Sequence, residues 1–235
     1  MSESQTHEEV FAEHQKVLGL EFGLLFNTLH NELSWLYVKW GQFKSLYSTN
    51  DARIELINAC APSYFYMIQF IHWENIILHI ARLNDPPSTM GKDNLTIQRL
   101  REFVDSHTNF AEFEITLNKA VTSASFARDL RNRNIAHRDL GIALNQSVSP
   151  LATANVAGVE DALGSIKDVL SWIHKEYFDR MFMYDMASVP GGAGELLAFL
   201  REGRIAREQR LERIRNGTAT QQDYDIRGAP SDQNL

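Results

Sequence analysis

From about Glu8 to Tyr47, apolar residues recur at helical spacing: Leu20, Leu24, Leu25, Leu29, Leu33, Leu36, Trp40 and Phe43. This spacing predicts one long helix. Asn50 and Asp51 are N-cap residue types, so a second long helix is expected from there through Leu83, with Pro62 marking a kink or break. The segment "NDPPSTMGKDN" sets two prolines and a glycine among small polar residues and reads as a loop. Asn94 or Thr96 caps a third helix to about Ser106, and Asn109 starts a fourth. On the fourth, alternating steps of four and three join Phe113, Leu117, Ala120, Ala124 and Ala127 into a seam that faces a core and lets a neighbouring helix come close. After the low-charge connection "GIALNQSVSPLATANVAG", a fifth helix is expected from about Val159 to Tyr184, with Leu163, Ile166, Leu170, Ile173 and Tyr177 on one face. "ELLAFLREGRIAREQRLERIRN" then reads as a strongly charged helix with a thin apolar stripe. The expected fold is all-α: an up-and-down bundle of long helices over residues 1–188, a C-terminal helical extension over 189–216, and a disordered tail over 217–235.

Composition narrows the function classes. At 235 residues and 44% hydrophobic, the chain can bury a sizeable core. The single Cys60 excludes an internal disulfide or a cysteine-cluster zinc site, suits a reducing cytosol, and is expected to be buried and inert. "MSESQTHEEV" has no secretory character. The greasiest stretch, "FYMIQFIHWENIILHIARL", is interrupted by Gln69, His72, Glu74, Asn75 and His79 and does not read as a membrane span. A cytoplasmic protein with no membrane partner is expected. The net charge of −7, from 23 Lys and Arg against 30 Asp and Glu, argues against nonspecific coating of nucleic acid, so any such chemistry must be local.

Against that charge, "DLRNRNIAHRDL" (129–140) crowds three arginines, two asparagines and a histidine together. The seam of the fourth helix steps directly into it, from Ala127 to Arg131, Asn134 and Arg138, with His137 beside the last. Burying these groups without partners costs several kcal/mol. Two readings of the residues stay open. The stretch is a solvated helix end that complements the C-terminal dipole, with Asp129 and Asp139 as ion-pair partners, or it lines a cleft.

"RNRNIAHRD" resembles the signature of the HEPN superfamily, an arginine followed by a polar residue and, a few residues on, a histidine: here Arg131, Asn132 and His137. "HIARLNDPPSTMGKDNLTIQRL" (79–100) is similar to the branch associated with bacterial abortive infection and toxin systems, and the likeness covers roughly residues 15–185. Arg133 also precedes an asparagine, at a tighter spacing to His137, and ranks second to Arg131. The resemblance implies a metal-independent endoribonuclease that needs no cofactor. In it, His137 takes a proton from a ribose 2′-OH, Arg131 or Arg133 holds the phosphate, and Asn132 or Asn134 orients phosphate or histidine. Arg128 and Arg138 would add phosphate contacts. Arg82 and Asp85, which could simply cap the second helix and pair with each other, would brace the motif from a neighbouring helix. The implied partners are RNA, a second copy completing a composite site, and an antitoxin protein. The rival the resemblance leaves open is a non-catalytic module that binds a nucleotide or a partner protein.

Other candidates carry less chemistry. His30, His72, His79, His107 and His174 lack ligand-motif spacing and are expected as core or surface residues, even with Glu74 and Asp85 available. Trp35, Tyr37, Trp40, Tyr64, Tyr66 and Trp73 fall at helical spacing and are expected in the core rather than as base-stacking platforms. Gly191–Gly194 lacks the residues of a phosphate loop. Arg204, Arg207, Arg210, Arg213 and Arg215 on the last helix read as a solvated face.

Overall fold

A computed structural model describes residues 6–48, 50–104, 106–136, 139–144, 151–186 and 189–224. His137 and Arg138 lie outside the described residues, as does the tail from 225. The fold is all-α, as the hydrophobic spacing predicts; the described residues hold one pair of two-residue strands, β1 (Ser88–Thr89) and β2 (Lys92–Asp93). Met90 and Gly91 turn between them with positive φ. The helices are α1 (His7–Leu18), α2 (Leu20–Tyr47), α3 (Asp51–Cys60), α4 (Pro62–Leu83), α5 (Arg101–Val104), α6 (Phe110–Ser123), α7 (Ser125–Leu130), α8 (Leu140–Ala143), α9 (Val156–Phe178), α10 (Ala193–Arg215) and α11 (Gln221–Tyr224). Among the described residues no helix is long and apolar enough to cross a membrane.

The chain divides into two compact units, and the division falls inside α2 and α4. The first takes the described residues of 1–43 and 69–189. The single helix expected over Glu8–Tyr47 is two. Gly19, at φ 84°, breaks it in a conformation that favours glycine, and its N–H still closes onto the Gln15 carbonyl at 3.0 Å. Gly23 then lets the two helices touch: a Cβ there would lie 2.7 Å from the Gln15 Cα. Thr6 and Glu9 form a capping box that starts α1.

The seam Phe113–Leu117–Ala120–Ala124–Ala127 is completely buried, and α6 packs along α9, whose Val159, Leu163, Ile166 and Leu170 are buried as well. The fifth helix ends earlier than its apolar pattern predicts. Asp179, in the left-handed region at φ 49°, closes α9 after Phe178, and Tyr184 returns in a separate 3-10 turn to the core. There Tyr184, fully buried, lies 2.8 Å from His30 Nδ1, with His174 Nε2 at 3.4 Å from both. His14 packs edge-on against His30 and bonds Asn27 at 3.1 Å. Burial holds all three imidazoles below their ordinary range, His30 at about 4 and His174 at about 3.

The second unit takes the described residues of 44–68 and 190–235. Asn50 caps α3 through the Arg53 N–H, and Ala61 separates α3 from α4 just before Pro62, where the break was expected. Leu46, Leu56, Ile57, Phe65, Ala193 and Leu197 form its core, so the start of α10 is packed against α3. Within the stretch expected as a disordered tail, Gln221–Tyr224 forms α11. Arg213 and Asp223 form an ion pair at 2.5 Å, and Thr220 donates its N–H to the same carboxylate at 2.9 Å. That pairing keeps the Asp223 carboxyl well below the usual carboxylate range.

Candidate active site

The fourth helix was expected to carry the motif as one continuous element. It breaks at Ala124, resumes as α7, and then widens into a π-turn over Arg131–Ile135. The Ala136 N–H reaches the Arg131 carbonyl at 2.8 Å, one residue further back than an α-helix requires. Such turns are rare and cluster at functional sites, because the extra residue re-aims the side chains around it. Here it separates the two arginines.

Arg131 turns to the end of α4. Its Nη1 sits 2.6 Å from Asp85 Oδ1 and 2.5 Å from Oδ2, and its Nε donates to Asn132 Oδ1 at 3.0 Å. Nη2 is left without a partner among the described residues. The pair is mostly withdrawn from water, with 23% of the Arg131 side chain and 15% of that of Asp85 exposed. Arg133 turns back along its own helix to Asp129, at 3.4 Å. Asp129 in turn accepts the Ala152 N–H at 2.8 Å. Asp139 pairs with no arginine of the motif among the described residues; its side chain caps α8 at the Ile142 N–H.

Asp85 is held in place through its backbone. After Leu83 the chain leaves α4, and the Asp85 carbonyl accepts from Thr96 Oγ1 at 2.7 Å and from Gln98 Nε2 at 3.1 Å. Thr96 also bonds the Leu83 carbonyl and caps the following 3-10 turn, Ile97–Leu100. The loop "NDPPSTMGKDN" thus folds into a latch that fixes where the Asp85 carboxylate points. Arg82, three residues earlier, is exposed on α4, and among the described residues the Asp85 carboxylate pairs with Arg131 rather than with it. Arg128 and Asn134 are half-buried, and Asn132 is exposed.

Among the described residues no group of three His, Cys, Asp or Glu is placed to hold a metal ion. The aromatics divide. Trp40 is buried as expected, whereas Trp35, Tyr64 and Tyr66 are exposed, contrary to their helical spacing, because the apolar stripes of α2 and α4 are wider than the core they meet. Two side chains that the sequence did not single out, Glu32 and Lys39, join His79 in a polar contact between α2 and α4. Their signal was the seven-residue spacing of Glu32 and Lys39, two turns apart on one helix face.

The local architecture is therefore a widened helix end that presents one arginine to a fixed carboxylate, with a sequence motif continuing to His137. No curated protein and no solved structure matches the chain. The family model for AbiU2 of the HEPN group matches residues 19–193, a span that includes Asp85, the π-turn and His137, and the protein belongs to this abortive-infection-associated HEPN family.

Proposed function

We propose that the protein is a metal-independent endoribonuclease of prokaryotic defence or toxin systems, working in the cytoplasm as a homodimer whose two motifs share one cleft. The observation that carries this is the Arg131 guanidinium. Asp85 and Asn132 fix its Nη1 and Nε, and Nη2 stays open to a phosphate oxygen. A fixed donor aimed at developing charge is worth more than a mobile one.

Six residues on, a neutral His137 takes the proton of a ribose 2′-OH. The 2′-oxygen attacks the adjacent phosphorus, the P–O5′ bond breaks, and the leaving oxygen takes up a proton. The products are a 2′,3′-cyclic phosphate and a 5′-hydroxyl. Arg131 carries the charge on the phosphoryl oxygens, Arg133 supports the turn through Asp129, and Asn134, Arg128 and Arg138 contribute polar contacts to the same phosphates.

Purified protein incubated with total RNA in EDTA tests this. Cleavage with cyclic-phosphate ends is expected, reduced about 10²- to 10⁴-fold in His137→Ala, the range that a general base contributes. Full activity in a folded His137→Ala protein would sink the assignment. RNA binding without cleavage, dependent on Arg131, would support a non-catalytic module instead.

A further inference from the structure

A second group of ionisable side chains lies between α2 and α4 in the first unit. The imidazole of His79 is buried there, 2.7 Å from Glu32 through Nε2 and 3.3 Å from the Lys39 ammonium through Nδ1. With Nδ1 accepting from the ammonium the ring is neutral, and Nε2 lies against the Glu32 carboxylate as a close polar contact rather than a formed hydrogen bond. Burial, reinforced by Lys39, holds it at about 4, in agreement. Glu32 and Lys39 are thereby tied to one another through the ring, and the carboxylate is offset by the ammonium.

On α2, Glu32, Trp35 and Lys39 fall within about 60° of arc. Leu29, Leu33 and Leu36 lie on one side of them, in the core; Trp35 lies on the other and is 53% exposed. The same division holds on α4. Ile76, Ile80 and Leu83 take the core side of His79, while Asn75 and Arg82 take the solvent side and are exposed. The contacts of Phe43 with His72 and Trp73 show that the two helices run antiparallel, so both solvent sides open on the same edge. An indole and a guanidinium therefore flank the Glu32–His79–Lys39 contact. On α4, Arg82 follows His79 by about 4.5 Å of helical rise, and Asp85 with its bound Arg131 comes two residues beyond the end of the helix at Leu83.

We propose that this strip is a binding subsite for single-stranded RNA, with Trp35 stacking one base and Lys39 and Arg82 holding the phosphates beside it. It rests on the RNA reading of the preceding subsection and names where the strand lies next to the Arg131 centre. The chemistry favours RNA over a protein partner. A solvent-facing indole with cations on the adjoining turns is the combination that holds a strand without reading its sequence, and it runs against a chain charge of −7. It also localises RNA binding on an acidic molecule to the neighbourhood of the scissile bond.

A 2′-O-methyl RNA of about a dozen nucleotides cannot be cut, so its dissociation constant reads binding apart from chemistry. Trp35→Ala in the full chain is expected to weaken binding about ten-fold or more, and Trp35→Phe, which keeps a stacking face, to retain most of it. Arg82→Gln is expected to lower the slope of log K against log salt by about 0.7, the share of one phosphate on a single strand. Binding unchanged in Trp35→Ala would overturn the subsite and leave the nuclease reading standing. Trp35-dependent binding by a wild-type protein that cuts no unmodified RNA would overturn the nuclease reading and leave the subsite. A shift of Trp35→Ala from dimer to monomer, with RNA affinity unchanged, would assign the strip to an interface between copies and overturn the proposal.

Discussion

Polar groups are withdrawn from water around Tyr184 and around Arg131, both in the first unit, and the partners differ. Around Tyr184 they are all neutral: the phenol and the imidazoles of His30 and His174 lie 2.8–3.4 Å apart inside the core, and His14, packed edge-on against His30, bonds Asn27. Around Arg131 the group is a guanidinium, which cannot shed its charge, and it is met by a carboxylate at the rim of the fold rather than at its centre. The difference separates structure from chemistry. A neutral cluster can be sealed because desolvation is the only penalty it faces, and hydrogen bonds offset that penalty. A charged pair must stay near water, and there an anion from outside can reach the donor that its partner leaves open.

Acid should break the first arrangement and spare the second, and this is the largest effect expected. His30 at about 4 and His174 at about 3 lie below the 6.5 of an unfolded histidine. Between those values the unfolded chain binds more protons than the folded one, so stability is complete above about pH 6.5 and falls as pH drops toward 4. Each ring contributes about 1.4 kcal/mol per pH unit across that window. Urea unfolding at pH 7 and pH 5 should therefore differ by several kcal/mol. A midpoint that does not move over this interval would mean that the cluster opens to water in the native state.

The charged pair should break by mutation instead. Asp85→Ala leaves the backbone latch of Thr96 and Gln98 in place, because those bonds go to the Asp85 carbonyl. It strands the Arg131 guanidinium, at an expected cost of about 2 kcal/mol once the pair's partial exposure is allowed for. RNA turnover should fall about ten-fold, because Nη2 loses its fixed direction. Equal turnover in Asp85→Ala and wild type would show that Asn132 alone aims the guanidinium.

How much of this was legible in the sequence depends on the range of the interaction. The buried seam from Phe113 to Ala127 could be read directly, because helical periodicity is a local signal. The break at Gly19 could not: one glycine inside a long apolar pattern is a weak mark, and what makes it a turn is the close approach at Gly23. The motif residues were visible as types, but the π-turn was not, because the pattern of side chains contains no sign of one extra residue per turn. Asp85 could be named as a brace only through the likeness of its segment to a family; its meeting with Arg131 spans 46 residues and depends on the latch at Thr96. The exposed aromatics were misjudged for the converse reason. Periodicity shows which face of a helix is apolar, not how wide a core awaits it.

The smallest expected effect is at Arg133, the second of the two arginines that the sequence could only rank. Arg131 bonds Asp85 and Asn132 through two different nitrogens, a forked contact that a lysine ammonium does not reproduce. Arg133 meets Asp129 one turn back at 3.4 Å, a contact between charges at helical spacing that lysine can reproduce. Arg131→Lys should lower RNA cleavage by about 10²-fold, in the range for loss of one charge-stabilising donor. Arg133→Lys should stay within about three-fold of wild type and change stability by less than about 1 kcal/mol, as expected for a partly exposed pair. Turnover with an RNA strand, and urea midpoints for both variants, give the comparison. If Arg133→Lys is the more damaging, the phosphate belongs to Arg133, and the contact of Arg131 with Asp85 is a structural tie between the π-turn and the end of α4.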